Sequence, residues 1–302
     1  MARPGSVELV VSTYNNPHAL DLALCALRHQ SIANFKLCIA DDGSGQATRD
    51  LVNAWAEAFG PRLRHIWHPD HGFRKNRILN KAIASSTAEY LIFLDGDCVP
   101  GRVFVERHLA LSKPDRFCTG GVIRLNLPTS NAITRDQVES GEVFTAQWLA
   151  AHQALDGLGN RLKAGLYPVW LSGLAETLTP VSKTWNGGNS STWRINLIKV
   201  NGFDENFGYG AEDIELGFRL NNAGIRGRHL RYTVPVLHLE HELGPLGDLL
   251  LAHPLDAITD QDAGLLAGTL GHYGLDHGQY LAAEGHYPQA ADGGLFVRIE
   301  RP

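Results

Sequence analysis

Residues 90–100 read YLIFLDGDCVP: an unbroken apolar run stops at two carboxylates, Asp95 and Asp97, with Gly96 between them. Continuous hydrophobicity over so few residues marks a strand buried on both faces, as in a parallel sheet. Open sheets of that kind bind ligands outside the carboxyl ends of their strands, so the two acids fall where a site belongs. Carboxylates this close repel each other unless a cation or hydrogen-bond donors compensate, and hard divalent ions such as Mg2+ and Mn2+ prefer oxygen ligands. Asp95 and Asp97 are therefore expected to supply half of a metal site. An Asp-Gly pair also closes ordinary turns at strand ends, so the pair needs support from elsewhere in the chain.

Working outward, strand and helix patterns alternate. Strands are expected over 7–12, 36–40, 63–67 and 90–94. Helices are expected over 17–30, where Ala19, Leu20, Ala23, Leu24 and Leu27 share a face, and over 48–59 and 75–84. Such alternation predicts an α/β fold with a parallel, Rossmann-like sheet and right-handed crossovers. Residues 129–184 lose the rhythm: one helix is expected over 135–155, then a Gly-rich, variable stretch through Gly173. Order returns at Trp185 with WNGGNSSTWRINLIKVNGFDENFGYGAEDIELGFRLNNAGI. A helix is expected there over 213–223, with Gly224 at its C-cap, and a further strand over 231–239. From Gly244 onward the periodicity is weak and suggests no role.

The formal charge of −5 offers no electrostatic footprint for nucleic acid, and no Lys/Arg stripe overrules it. Cys25, Cys38, Cys98 and Cys118 form no C-x-x-C pair, so neither a zinc knuckle nor a disulfide framework is indicated. The first apolar run is too short for a signal-peptide core, and no stretch approaches the roughly 20 apolar residues that cross a bilayer. The expectation is a soluble, cytoplasmic protein with no transmembrane segment, peripheral at the inner face of a membrane at most.

Two more groups of polar residues fall at element ends. Thr13, Tyr14 and Asn15 follow the first strand, and Asp41 and Asp42 follow the second. An acid at such a strand end can accept a hydrogen bond from a ribose hydroxyl or a base N–H; equally, the pair can build a turn and cap the next helix. Glu212 and Asp213 sit at a loop-to-helix junction, where the macrodipole alone would favour acids. The small residues before them, Gly208, Gly210 and Ala211, leave space for a ligand to approach the backbone.

Taken in order, VVSTYNN, ADDGSG, FLDGDC, GGNSSTWR and NGFDENFGYGAEDIELGFRL resemble a family 2 glycosyltransferase of the GT-A fold. The last segment is similar to the galactosyltransferase-like region of chondroitin polymerases, β-1,4-galactosyltransferases and polypeptide N-acetylgalactosaminyltransferases. The resemblance spans residues 7–242. It implies a mostly parallel central sheet flanked by helices, with a small acceptor-side subdomain. Residues 1–125 would form the nucleotide-sugar half, 126–243 the acceptor and catalytic half, and 244–302 an extension. It further implies that Thr13, Tyr14, Asn15, Asp41 and Asp42 hold the nucleotide of a UDP-sugar, with Asp95 and Gly96 beside it. Asp95 and Asp97 would approach Mn2+ or Mg2+, and His238 would complete the metal shell. Asp213 would be the base, Glu212 would contact a sugar, and Trp185, Gly187, Gly188 and Asn189 would line the donor-sugar pocket.

That chemistry suits these residue types. A departing diphosphate gains charge that a divalent ion stabilises, and a carboxylate can take the proton of an attacking hydroxyl. The acceptor would be a glycan, a lipid-linked glycan or another hydroxyl compound. Inversion is expected, although retaining relatives share the E-D-x-E-L pattern. The chain departs from the family in HGFRKNRILNKAI: where many relatives carry Arg-Asn, Leu79 precedes Asn80; Lys75, Arg77 and Asn80 are expected beside the nucleotide, with Lys75, Arg77 and Lys81 as candidate cations for the diphosphate. A sugar nucleotidyltransferase would need a Gly-rich basic phosphate loop, and residues 7–17 hold no Gly, Lys or Arg. A non-catalytic carbohydrate-binding protein would not need both Asp213 and the metal acids.

Overall fold

The computed structural model describes residues 3–155, 160–161, 163–164, 169–179, 184–207 and 212–241. Gly208, Gly210, Ala211 and the stretch from Gly244 lie outside the described residues. The first half alternates as expected: β1 (Val7–Thr13), α1 (Pro17–Arg28), β2 (Lys36–Asp41), α2 (Gln46–Phe59), β3 (Leu63–Trp67), α3 (Lys75–Ser85) and β4 (Tyr90–Asp95). After it come β5 (Cys98–Pro100), α4 (Phe104–Leu111), β6 (Arg116–Gly120), β7 (Val122–Arg124), α5 (Leu127–Ala132), α6 (Arg135–Ser140), α7 (Ala146–Ala151) and α8 (Val169–Leu178). The last described elements are β8 (Ser190–Trp193), α9 (Arg194–Lys199), α10 (Glu212–Asn222), β9 (Arg226–Leu230) and β10 (Val236–His238).

Seven strands form the main sheet in the order β3-β2-β1-β4-β8-β6-β9, and β5-β10-β7 form a smaller one. Alternation along β1 and β4 explains why both read as continuously apolar. Leu9, Val11, Tyr90, Ile92 and Leu94 pack with Leu20, Leu24 and Val52 of α1 and α2. Val10, Leu91 and Phe93 face the opposite way, onto Ile78 and Leu79 of α3 and Leu216 and Leu220 of α10. Each large apolar side chain buried in this way contributes about 1.5–3 kcal/mol, which fixes the sheet between two helical layers. The fold is thus α/β, with a mostly parallel sheet flanked by helices. Among the described residues no helix is long and apolar enough to cross a membrane.

The mostly parallel sheet holds one reversed strand, β8, which runs antiparallel to both β4 and β6. Two expectations need correction. The single helix over 135–155 breaks in two. Gly141, with φ 79°, ends α6 in a left-handed cap, and Thr145 starts α7 by accepting from the Trp148 N–H. The strand over 231–239 is also cut down, to Val236–His238. Leu230 O accepts from Thr233 and Val234 N–H, the Glu176 carboxylate accepts from Tyr232 and Thr233 N–H, and Pro235 has no N–H to offer a ladder. Residues beyond this turn join the smaller sheet as β10.

Candidate active site

Strand register sets the carboxyl edge of the sheet: Thr13 lies opposite Asp41, and Ser12 opposite Asp95. Because β8 is antiparallel, it begins where β4 ends, with Ser190 opposite Phe93. The loop before β8 therefore lies against Asp95. A Cβ added at Gly188 would stand 3.3 Å from Asp95 Oδ2, and one at Gly187 would stand 2.6 Å from Asp213 Oδ2 and 3.0 Å from Lys75 Nζ. Lys75, at the start of α3, places Nζ 2.9 Å from Asp95 Oδ1 and 3.9 Å from Glu212 Oε1. Ser12 donates to Asp95 Oδ1 at 2.6 Å. Carboxylates from β4 and α10 thus converge on one ammonium, walled by two glycines that leave no room for a side chain.

The electrostatics follow from this crowding. Burial works against the Lys75 charge, but Asp95, Asp213 and Glu212 outweigh it and hold its pKa well above the usual lysine value. Burial pushes the Asp213 carboxyl up to about 6; Lys75 opposes that rise, and Asp95 and Glu212 add to it. Gly187 N–H donates to Asp213 Oδ2 at 2.8 Å. Its Oδ1 is buried with no hydrogen-bond partner. Such an acid has one oxygen fixed and one oxygen open to accept a proton.

Asp97 lies on the other side of Gly96. Burial would raise its pKa, yet His241, His238 and Lys75 bring it below the usual carboxylate value. His241 Nε2 is 3.3 Å and His238 Nε2 3.5 Å from Asp97 Oδ2. The imidazole centroids are 6.2 Å apart, so the rings straddle the carboxylate. Carboxylate oxygen and imidazole nitrogen are both ligand types that divalent first-row ions accept, and His238 Nδ1 is buried with no hydrogen-bond partner. The residues present fit a divalent ion. The sequence reading assigns His238 alone to the metal shell; the signal that brings in His241 is the H-x-x-H spacing that starts at the last residue of β10.

The remaining expected site residues are placed as follows. Tyr14 is half exposed, and its hydroxyl donates to Asp70. Asn15, with φ 45°, accepts from Gly45 N–H and donates its own N–H to Ser44 Oγ. Asp41 is fully buried, with its oxygens taken by Ser44 N–H and His65. Asp42 is held by His68 and Arg74 N–H, and its N–H donates to Thr13 O. Gly96 N–H donates to Ser12 O. Asn80 exchanges hydrogen bonds with the Phe203 backbone, and Arg77 is turned toward Glu205. Lys81 approaches His68. Of the three candidate cations, Lys75 is the one that faces the acids. Trp185 packs against Phe93 and Phe117 in the core. The buried Asn189 side chain bonds His108, Gly121 O and Val234 O. Asp41, Asn80, Trp185 and Asn189 therefore shape the walls behind the site, while Gly187 and Gly188 line it.

Gly187→Ala tests the closeness of that wall. The new methyl would meet the ends of Asp213 and Lys75, so both must shift and the buried charge cluster they share should loosen, lowering thermal stability. Turnover should fall by roughly 10²-fold, the scale for displacing a reacting group by about 1 Å. Parallel melting curves and steady-state rates check both halves of this expectation.

Comparison with known proteins agrees with this architecture. The family model described as glycosyl transferase family 2 matches residues 8–153, and the one described as the N-terminal domain of galactosyltransferase matches residues 179–242. A validoxylamine A glucosyltransferase from Streptomyces hygroscopicus is 28% identical over 239 residues, covering 72% of this chain and 52% of that protein. A chondroitin synthase from Escherichia coli is 23% identical, covering 72% of this chain and 32% of its own. The chain thus spans about half the length or less of these relatives. Among solved structures, a mannosyltransferase from Pyrobaculum calidifontis in complex with GDP-Man and Mn2+ superposes with a TM-score of 0.53 at 18% identity, covering 81% of this chain and 59% of that one. Both family models are thus matched in order along a GT-A fold: the chain is similar to glycosyl transferase family 2 over residues 8–153 and to a galactosyltransferase-type segment over residues 179–242.

Proposed function

We propose that this chain transfers a sugar from a nucleotide-sugar donor, a UDP-sugar by the family resemblance, to a hydroxyl of a glycan or lipid-linked glycan, with inversion. The observation that carries the reading is Asp213. One oxygen is fixed by the Gly187 N–H, the other is buried with no hydrogen-bond partner, and burial raises the carboxyl to about 6. A carboxylate so placed takes the proton of the acceptor hydroxyl as the oxygen attacks the anomeric carbon. Lys75 presents a fully charged ammonium at the same edge, where a departing diphosphate gathers negative charge. Asp97, His238 and His241 would hold Mn2+ or Mg2+, with Asp95 beside it; the ion supplies Lewis-acid stabilisation of the diphosphate. Tyr14 and Asn15, on the loop after β1, lie at the nucleotide end, and Gly187 and Gly188 would bring bare backbone against the donor sugar.

Asp97→Ala should fold normally and lose metal-dependent donor binding. Calorimetric titration of a panel of nucleotide sugars, with and without Mn2+, checks this expectation. Undiminished, Mn2+-dependent affinity in the variant would remove Asp97 from the site. The same panel, assayed for Mn2+-stimulated hydrolysis, separates an enzyme from a pure binding module, which would show no turnover with any donor.

A further inference from the structure

A second group of potential ligands lies away from the carboxyl edge, on the seam between α1 and α6. Asp21, Cys25 and His29 recur every four residues and so share one face of α1 and its C-cap, while Arg135 and Glu139 share a face of α6. The upper part of the seam is closed: Arg135 pairs with Asp21, stacks over Trp55 at 5.2 Å, and Trp55 Nε1 donates to Asp21. Below it, donor atoms of Cys25, His29 and Glu139 all lie within 4.8 Å of one another.

We propose that Cys25, His29 and Glu139 form a binding site for a borderline-soft divalent cation of the Zn2+ class. Three observations carry this. Cys25 Sγ stands 3.6 Å from Glu139 Oε1; bond lengths of about 2.3 Å to sulfur and 2.1 Å to oxygen at a tetrahedral angle require a separation of about 3.6 Å. The His29 Nδ1 lies 3.0 Å from Cys25 O. Donation to a backbone carbonyl is the arrangement that orients a metal-binding imidazole and leaves Nε2 for the ion. The charges also balance, since a thiolate and a carboxylate offset a divalent ion while Arg135 is already neutralised by Asp21. Without the ion, burial holds the Cys25 thiol in its protonated form. Binding breaks the S–H bond, forms the metal–sulfur bond and releases the proton to solvent. Glu139 is exposed and His29 partly so, which leaves an entry path and a fourth position for water. An ion held there would pin α1 to α6, far along the helix from the loop that opens onto the catalytic edge.

The test uses Cd2+ as probe on the full chain, read by thiolate-to-metal charge-transfer absorption. One equivalent should produce the band, and Zn2+ should displace it mole for mole. Cys25→Ser should abolish the band, while Cys38→Ser, Cys98→Ser and Cys118→Ser should keep it. His29→Gln and Glu139→Gln, at accessible positions that do not threaten folding, should each weaken binding by about tenfold or more. Absence of a band at one equivalent overturns the proposal. So does a band that survives Cys25→Ser and vanishes with Cys98→Ser, which would place the ion beside Asp97 instead. So, too, does binding indifferent to His29 and Glu139.

Discussion

Asp213→Asn is expected to bind a donor as tightly as the unaltered protein and to transfer its sugar at least about 10²-fold more slowly, the scale of a lost general base. The amide keeps the shape and can still accept from Gly187 N–H, so donor affinity measures the intact pocket while the rate measures the missing proton acceptor. The pH profile adds a second criterion. Burial raises the Asp213 carboxyl to about 6, and only its ionised form can act as base. The rate of the unaltered protein should therefore fall as pH is lowered through about 6 and level off above it. The Asn variant should lack that limb. A variant with unchanged turnover, or with the same limb, would transfer the role to another group.

Lys75→Met should produce the largest loss of stability. Its ammonium is the cation on which Asp95, Asp213 and Glu212 converge, and removing one partner of a buried ionic group typically costs about 3–5 kcal/mol. The sign with pH is specific. Because the folded-state pKa of Lys75 is raised, its contribution is present in full across the neutral range and would be lost only as pH rises through that raised value. In the variant, the stranded carboxylates bind protons more readily when folded than when unfolded, so the deficit should shrink as the solution is made mildly acidic. Urea unfolding in metal-free buffer, at neutral and mildly acidic pH, measures both effects. A deficit that grows on acidification would contradict the convergence.

The elements of the first half were legible because their patterns are local: β1, β2 and β4 are buried along nearly their whole length, and β4 begins at Tyr90 and α3 at Lys75, as their patterns mark. What escaped depends on partners distant in sequence. SSTW, which forms β8, carries polar residues that read as loop, yet Ser191 and Thr192 are fully buried because Tyr90 and His108 bond the Ser191 hydroxyl and the Arg116 carbonyl accepts from Thr192. The site was legible in its acids, since Asp95, Asp97, Glu212 and Asp213 all stand at element ends. Which residues of each motif face inward was not. Asn80 and Asn189 resemble ligand-binding amides in sequence, but each spends its side chain on groups that only the folded chain brings near, the Phe203 backbone for Asn80 and His108, Gly121 O and Val234 O for Asn189.

The antiparallel β8 also dictates when the site can exist. Tyr90 and Ser191, joined through their hydroxyls, are 101 residues apart along the chain, and closing a loop of that length costs about 4 kcal/mol of entropy before any contact repays it. Pairings of such range form late and slow the approach to the native state. A nascent chain released before Ser190 would carry the β4 carboxylates without the glycine wall that faces them, so catalytic competence should emerge in the final kinetic phase of refolding, after most of the helical signal has returned.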